Sequence, residues 1–234
     1  MMSSATYNLR RGRLQTYFNA TAVEQWAQLT SDAPVSRIRQ TVRAGRDRMR
    51  DTLLSWLPDK MAGARLLDAG CGTGALSVIA AQRGAEVTAV DIADNLVNVA
   101  RERAPEDLAP GRIDFHVGDM VDPGFGDFHH VVAMDSLIHY STAEIVGFLE
   151  AIAPRTSQSI VLTFAPQTPA LSAMHVMGRM FPRSNRAPEI LPVSPNRLAA
   201  AIGRSDGLFD WSIGRTERIV SGFYTSQALE LVRR

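Results

Sequence analysis

The chain has a single cysteine, Cys71, and its 234 residues contain no long apolar run. A lone thiol excludes an intramolecular disulfide framework. The lack of about 18 consecutive apolar residues excludes a membrane-spanning helix, while leaving peripheral membrane contact open. Charge of one sign is also missing: 25 lysines and arginines stand against 24 acids. That balance disfavours a dedicated nucleic-acid binder, so nucleic acid is not an expected partner. The first residues, Tyr7, Asn8, Leu9 and Arg10 among them, lack the apolar core of a secretory signal. An intracellular, cytoplasmic location is therefore expected.

What is present reads as one core fold with additions. Residues 1–60 are expected to form an N-terminal helical arm and residues 61–165 the core. Residues 166–195 then make an inserted lid, and residues 196–234 return to the core sheet. In the arm, Tyr17, Phe18 and Trp26 stand among polar residues. From Val35 to Leu57, Ile38, Val42, Met49, Leu53 and Leu57 recur near a period of 3.6, and Pro58 ends the pattern. Six arginines between Val35 and Arg50 lie on the opposite face, which reads as a solvated surface.

Beyond Gly63, short apolar runs alternate with amphipathic stretches. Strands are expected at Arg65–Ala69, Glu86–Asp91, Arg112–Val117, Phe128–Asp135 and Ser159–Phe164. Helices are expected at Gly74–Arg83, Asp94–Arg103 and Thr142–Ala153, with Asp94 and Thr142 as N-caps. An antiparallel hairpin, Asp206–Ile213 with Thr216–Tyr224, turning at Gly214 and Arg215, would complete the sheet. The fold class is α/β: a doubly wound, seven-stranded, mostly parallel, Rossmann-like sheet with a helical arm and a lid inserted before the last two strands. The lid is assigned to a segment with six prolines and three methionines, Pro166 to Pro195.

Asp68, Ala69, Gly70, Cys71, Gly72, Thr73 and Gly74 form a strand-to-helix turn with three alternate glycines. Such a loop can take positive φ and let its backbone approach a ligand beside the positive end of the next helix. The spacing differs from the G-x-G-x-x-G loop that cradles a pyrophosphate, and the preceding aspartate suits an ammonium rather than a phosphate. Asp91, followed by Ile92, ends the second strand, where a carboxylate can accept from both hydroxyls of a ribose. Asp119 follows the third strand, placed to accept from an adenine amino group with Met120 packed on the ring. Three acids at successive strand ends form a specific pattern. Cys71 reads as a small apolar packing residue.

The loop from Asp68 to Gly74 resembles that of class I methyltransferases that use S-adenosylmethionine. A closer resemblance, over nearly the whole chain, is to the magnesium-protoporphyrin IX methyltransferases of bacteriochlorophyll and chlorophyll synthesis. It is carried by Tyr17, Phe18 and Asn19 with Trp26; by SRIRQTVRAGRDRM from Ser36 to Met49; by His116 to Met120; by VVAMDSLIHY from Val131 to Tyr140; and by FPRSNR from Phe181 to Arg186. One departure is Thr30, near which cyanobacterial and plant members carry a tyrosine that Tyr17 would replace.

The resemblance implies methyl transfer from S-adenosylmethionine to one propionate of magnesium-protoporphyrin IX, with S-adenosylhomocysteine as co-product. Magnesium would arrive only inside the substrate, since no histidine shows metal-ligand spacing. The cofactor set is Asp68, Gly70, Cys71, Gly72, Gly74, Asp91, Ile92, Asp119, Met120 and Asp135. His139, after the fourth strand, is the catalytic candidate: it could orient the propionate, ligate the magnesium or cap the following helix. Tyr17, His139, Met177, Arg183 and Arg186 are the substrate set, the two arginines for the second propionate. The residues alone leave two alternatives open, another small acceptor and a non-catalytic cofactor-binding scaffold. By resemblance, the large subunit of magnesium chelatase would hand over the substrate, and the protein would sit peripherally on the photosynthetic membrane.

Overall fold

The computed structural model describes residues 5–19, 36–167 and 190–234. Most of the expected lid, with Met177, Arg183 and Arg186, lies outside the described residues, as do Trp26 and Thr30. Seven strands form one sheet: β1 (Arg65–Ala69), β2 (Glu86–Asp91), β3 (Arg112–Val117), β4 (Phe128–Ala133), β5 (Thr156–Phe164), β6 (Trp211–Ser221) and β7 (Tyr224–Arg233). Their order is β3-β2-β1-β4-β5-β7-β6. The first five are parallel, and β7 runs antiparallel to both β5 and β6.

Helices α1 (Ala5–Tyr17), α2 (Arg37–Ser55), α3 (Ala75–Gln82), α4 (Asp94–Arg103), α5 (Thr142–Ile152) and α6 (Pro195–Gly203) surround the sheet. One face buries Phe148, Leu149 and Ile152 of α5, Leu198 of α6, and Tyr7 and Leu14 of α1. The other buries Met49, Leu53 and Leu54 of α2 with Leu76 and Ala80 of α3. Each large apolar side chain buried in this way contributes roughly 1.5–3 kcal/mol. Both faces are covered, which is why β1 and β4 read as nearly continuous apolar runs.

Several local expectations are corrected. β4 stops at Ala133, two residues short of Asp135, and β5 begins at Thr156 rather than Ser159. Asp94 lies in the first turn of α4, where its charge meets the helix dipole, and Ala93 holds the cap position. Ser141 rather than Thr142 caps α5, in a reciprocal box with Glu144. Burial raises the Glu144 carboxyl, but the bonds from Ser141 and Arg10 outweigh it and hold the group below its ordinary value.

The hairpin turns at Gly222, not at Gly214 and Arg215. Gly214 instead packs closely on a side chain of the neighbouring strand: a Cβ there would stand 2.6 Å from Glu230 Oε2. The same carboxylate accepts from the backbone N–H of Arg215 at 3.0 Å, where the register shifts. Asp206–Leu208, expected in a strand, is a short 3-10 turn. Ile38, expected in the apolar stripe of α2, is 57% exposed. No helix among the described residues is long and apolar enough to cross a membrane.

Candidate active site

An open cleft of about 740 Å3, solvent at its mouth included, lies over the carboxyl ends of β1, β2, β3 and β4. Parallel strands joined by helical crossovers bring their carboxyl-terminal residues together there, at the reversal of strand order between β1 and β4. The arm closes one side with Tyr7, Arg11, Leu14 and Phe18, and Arg46 of α2 enters from another.

The glycine loop forms one wall. Gly70, Gly72 and Gly74 have φ values of 84°, 55° and 79°, the left-handed region anticipated for them. A Cβ on Gly70 would collide with Ser136. Gly70 alone of the loop lines the cleft, together with Asp91, Ile92, Asp119, Met120, Asp135 and His139 of the expected set.

Asp68, Cys71, Gly72 and Gly74 of the expected set are not among the residues that line the cleft. Asp68 is buried and accepts from Ser77 Oγ at 2.6 Å. Burial pushes its carboxyl up to about 6, against the opposing effect of the Ser77 bond. Burial, with Asp68 and Asp91 nearby, also raises the Cys71 thiol well above its ordinary value, in keeping with a packing role.

Asp91 binds the loop from the neighbouring strand. Its Oδ2 accepts from Gly72 N at 2.8 Å and its Oδ1 from Ala93 N at 2.9 Å. Each oxygen retains a second lone pair for the cleft. Burial raises this carboxyl, and the three backbone N–H groups around it act in the opposite direction.

Asp119 is gripped by the arm. Tyr7 Oη donates to Oδ1 at 2.8 Å and Arg11 Nη1 to Oδ2 at 2.6 Å, with Val121 N also on Oδ1. The carboxylate expected for an adenine amino group is thus already anchoring α1. Arg10 pairs with Glu144 at 3.1 Å, and the Tyr7 and Tyr140 rings meet at 5.8 Å.

At the end of β4, Asp135 turns back with φ 54°, the one non-glycine residue at positive φ among those described. Arg46 Nε stands 3.6 Å from its Oδ2. This overturns the reading of all six α2 arginines as a solvated face. Ser136 Oγ, beside it in the cleft wall, is buried with no hydrogen-bond partner among the described residues.

His139 occupies a 3-10 turn, Leu137–His139, is buried, and lines the cleft. Phe18 sits edge-on to its ring at 6.2 Å. Phe18 lines the cleft with Tyr7 and Tyr140, and the expected Tyr17 packs edge-on against Phe18. Among the described residues, no group of three or more His, Cys, Asp and Glu side chains is placed to hold a metal ion.

Arg46, Tyr7, Arg11 and Met134 are cleft residues that sequence reasoning did not select. One signal was available for Arg46: Gly45 before it, a glycine inside a helix, costs about 1 kcal/mol relative to alanine and implies close packing there.

A seven-stranded sheet with β7 reversed, a glycine loop after β1 and an acid ending β2 define a Rossmann-like methyltransferase. A methyltransferase domain model matches residues 66–157, and a model for the magnesium-protoporphyrin IX methyltransferase C-terminus matches residues 133–233. Magnesium-protoporphyrin O-methyltransferase from Rhodobacter capsulatus is 47% identical over 94% of this chain and 95% of its own. Magnesium protoporphyrin IX methyltransferase from Arabidopsis thaliana is 30% identical over 94% of this chain and 70% of its own. The crystal structure of magnesium protoporphyrin IX methyltransferase from Synechocystis PCC 6803 with bound SAH superposes with a TM-score of 0.83. It is 31% identical and covers 96% of this chain and 100% of that one. The chain belongs to the magnesium-protoporphyrin IX methyltransferase family.

Proposed function

We propose that the protein transfers the methyl group of S-adenosylmethionine to a propionate carboxylate of magnesium-protoporphyrin IX, giving the monomethyl ester and S-adenosylhomocysteine. The observation that carries this is the 47% identity to the Rhodobacter capsulatus enzyme along nearly the full length of both chains. The cleft fits the cofactor's charges. It offers acids for hydroxyl, amino and ammonium groups, an arginine for a carboxylate, and a buried hydroxyl, Ser136 Oγ, that needs a partner. Bound there, S-adenosylmethionine supplies an electrophilic methyl on a sulfonium.

The chain's residues then divide the binding. Asp91 accepts from the ribose hydroxyls, while Ile92 and Met120 flank the adenine. Asp119 offers its remaining acceptor capacity to the adenine amino group. Asp135 and Arg46 form a paired seat for the zwitterionic amino-acid end. Gly70 lets the backbone approach, and Asp68, Cys71, Gly72 and Gly74 support the loop from behind.

A propionate has a pKa near ~4–5, like a glutamate, so it is an ionised nucleophile at neutral pH and needs no general base. Its oxygen attacks the methyl carbon, the C–S bond breaks, and the electron pair goes to sulfur; no proton moves. Positioning therefore dominates, and can contribute roughly 7–11 kcal/mol at its upper limit. His139 donates a hydrogen bond that orients the carboxylate. A neutral imidazole leaves the attacking lone pair free, whereas a bidentate arginine would occupy it. Tyr17 and Met177 remain proposals for the macrocycle, and Arg183 and Arg186 for the second propionate.

Peripheral contact with the photosynthetic membrane is supported by an exposed apolar tip. Ile38, Val220 and Phe223 are 57–58% exposed. Gly222 rests on Thr41, one helical turn from Ile38, and Arg37 beside them is exposed. Flotation with anionic vesicles tests this. Handover from the large subunit of magnesium chelatase rests on the family resemblance, and pull-down with that subunit tests it.

The decisive experiment is turnover with S-adenosylmethionine and magnesium-protoporphyrin IX, followed by chromatography of the ester. Wild type should form ester, and His139→Ala should lose about 100-fold in rate with cofactor affinity unchanged. No ester when both ligands bind would refute the assignment.

A further inference from the structure

The carboxylate of Asp135 is held by more groups than a cleft-lining residue needs. Tyr224 Oη donates to Oδ1 at 3.0 Å and reaches Oδ2 at 3.3 Å. Ser226 Oγ donates to Oδ1 at 3.4 Å, and Thr163 Oγ1 donates to the same oxygen at 3.3 Å while accepting from Asp135 N at 2.7 Å. These donors come from β5 and β7, neither of which supplies a residue that lines the cleft. On its other side the carboxylate faces Arg46 Nε at 3.6 Å.

Tyr224 also sets where Arg46 starts from. A Cβ on Gly45 would lie 2.6 Å from Tyr224 Cδ1 and 2.9 Å from Ser221 Cβ, so the α2 backbone rests directly on the tyrosine ring. The next residue along that helix is Arg46. One side chain thus supports the helix that carries the guanidinium with its ring and holds the counter-ion with its hydroxyl. Burial, then the negative charge of Asp135, keeps the phenol protonated far above neutral pH, so it is always a donor. The left-handed backbone at Asp135 is one that L side chains rarely adopt, and it persists only where its surroundings enforce it.

We propose that Tyr224 is a positioning residue for the amino-acid end of the cofactor: its phenol fixes Asp135, and the Asp135–Arg46 pair receives the ammonium and carboxylate. This rests on the reading of the cleft as a site for S-adenosylmethionine. The required signature is selectivity. Loss of the phenol should weaken ligands that possess the amino-acid end and spare those that lack it.

The test uses calorimetric binding of S-adenosylhomocysteine and of 5′-methylthioadenosine, which keeps the adenosine and the sulfur but not the amino acid. Tyr224→Phe keeps the ring against Gly45 and removes one hydrogen bond to a charged group, so S-adenosylhomocysteine should bind about 10-fold more weakly. Binding of 5′-methylthioadenosine should be unchanged, and in turnover KM for S-adenosylmethionine should rise with kcat retained. Ser226→Ala, which removes a longer bond, should give a smaller loss with the same selectivity, and carries the test if Tyr224→Phe fails to fold. Equal weakening of both ligands, or no weakening of either, would overturn the inference. Failure of wild type to bind S-adenosylhomocysteine would overturn the cofactor reading and this inference with it. Failure to form ester while both ligands bind would leave this inference standing.

Discussion

The Tyr7 hydroxyl donates to Asp119 Oδ1 at 2.8 Å across 112 residues of sequence, tying the arm to the end of the third strand. Tyr7 is buried, and burial, the Tyr140 phenol and the Asp119 charge all keep its hydroxyl protonated. The same carboxylate accepts from Arg11. Helix α1 is therefore part of the cleft wall because of charge-assisted bonds that its own sequence does not reveal.

Tyr7→Phe removes a hydrogen bond to an ionised acceptor, worth about 1.5–3 kcal/mol. Amides of α1 should then exchange with solvent about 10-fold faster or more, while those of β1 and β4 stay protected. Hydrogen exchange read by mass spectrometry checks this. Unchanged α1 exchange would mean the apolar contacts of Tyr7 and Leu14 hold the arm unaided.

Gly45→Ala should destabilise the protein, although the same change in an isolated helix is favourable by about 1 kcal/mol. The added methyl would meet the Tyr224 ring at 2.6 Å, and overpacking of this kind costs about 1–3 kcal/mol. Urea unfolding midpoints decide the sign.

Asp91→Asn should weaken cofactor binding about 10-fold or more, with little change in the folded sheet. An amide has one acceptor oxygen where the carboxylate has two, both already receiving backbone N–H groups from Gly72 and Ala93. Calorimetric titration with S-adenosylhomocysteine measures the loss.

Asp68 and His130 should tilt the pH dependence of stability in opposite directions. Folded Asp68 titrates at about 6 because it is buried, against ~3.9 when unfolded. The folded state binds the extra proton in that window, so this group lowers stability as pH rises through it, by up to about 3 kcal/mol. Burial, with His129 adjacent, brings His130 down to about 4, against ~6.5 unfolded. There the unfolded state binds the extra proton, and stability increases with pH. Relative to wild type, Asp68→Asn should gain stability as pH rises from about 4.5 to 6, and His130→Gln should lose it. Urea midpoints across that range measure both slopes.

The bounds of β1, β2 and β3 were legible to the residue: β1 as a short buried apolar run, β2 and β3 as apolar residues alternating with polar ones, each bounded by turn residues. The hairpin was not, because Gly214 and Arg215 look like a turn locally. Their glycine instead answers the carboxylate of Glu230, which becomes a neighbour only once β7 has paired with β6. Ser141 and Thr142 could each have capped α5, and only the Glu144 side chain returning to Ser141 N selected between them.

What the sequence by itself determined is the alternation of strands and helices, the positive-φ glycine loop and the acid ending the second strand. Each is a local property of backbone freedom or hydrophobic period. Only the tertiary structure decided which acids face the cleft: Asp68 turns away to Ser77, Asp119 is taken by the arm, and Asp135 is held from β7. Arg46 likewise sits on a helix whose polar face reads as solvent-exposed until Tyr224 and Asp135 are folded against it. A charged side chain's partner is set by distances across the fold, and those distances do not exist in the linear order of residues.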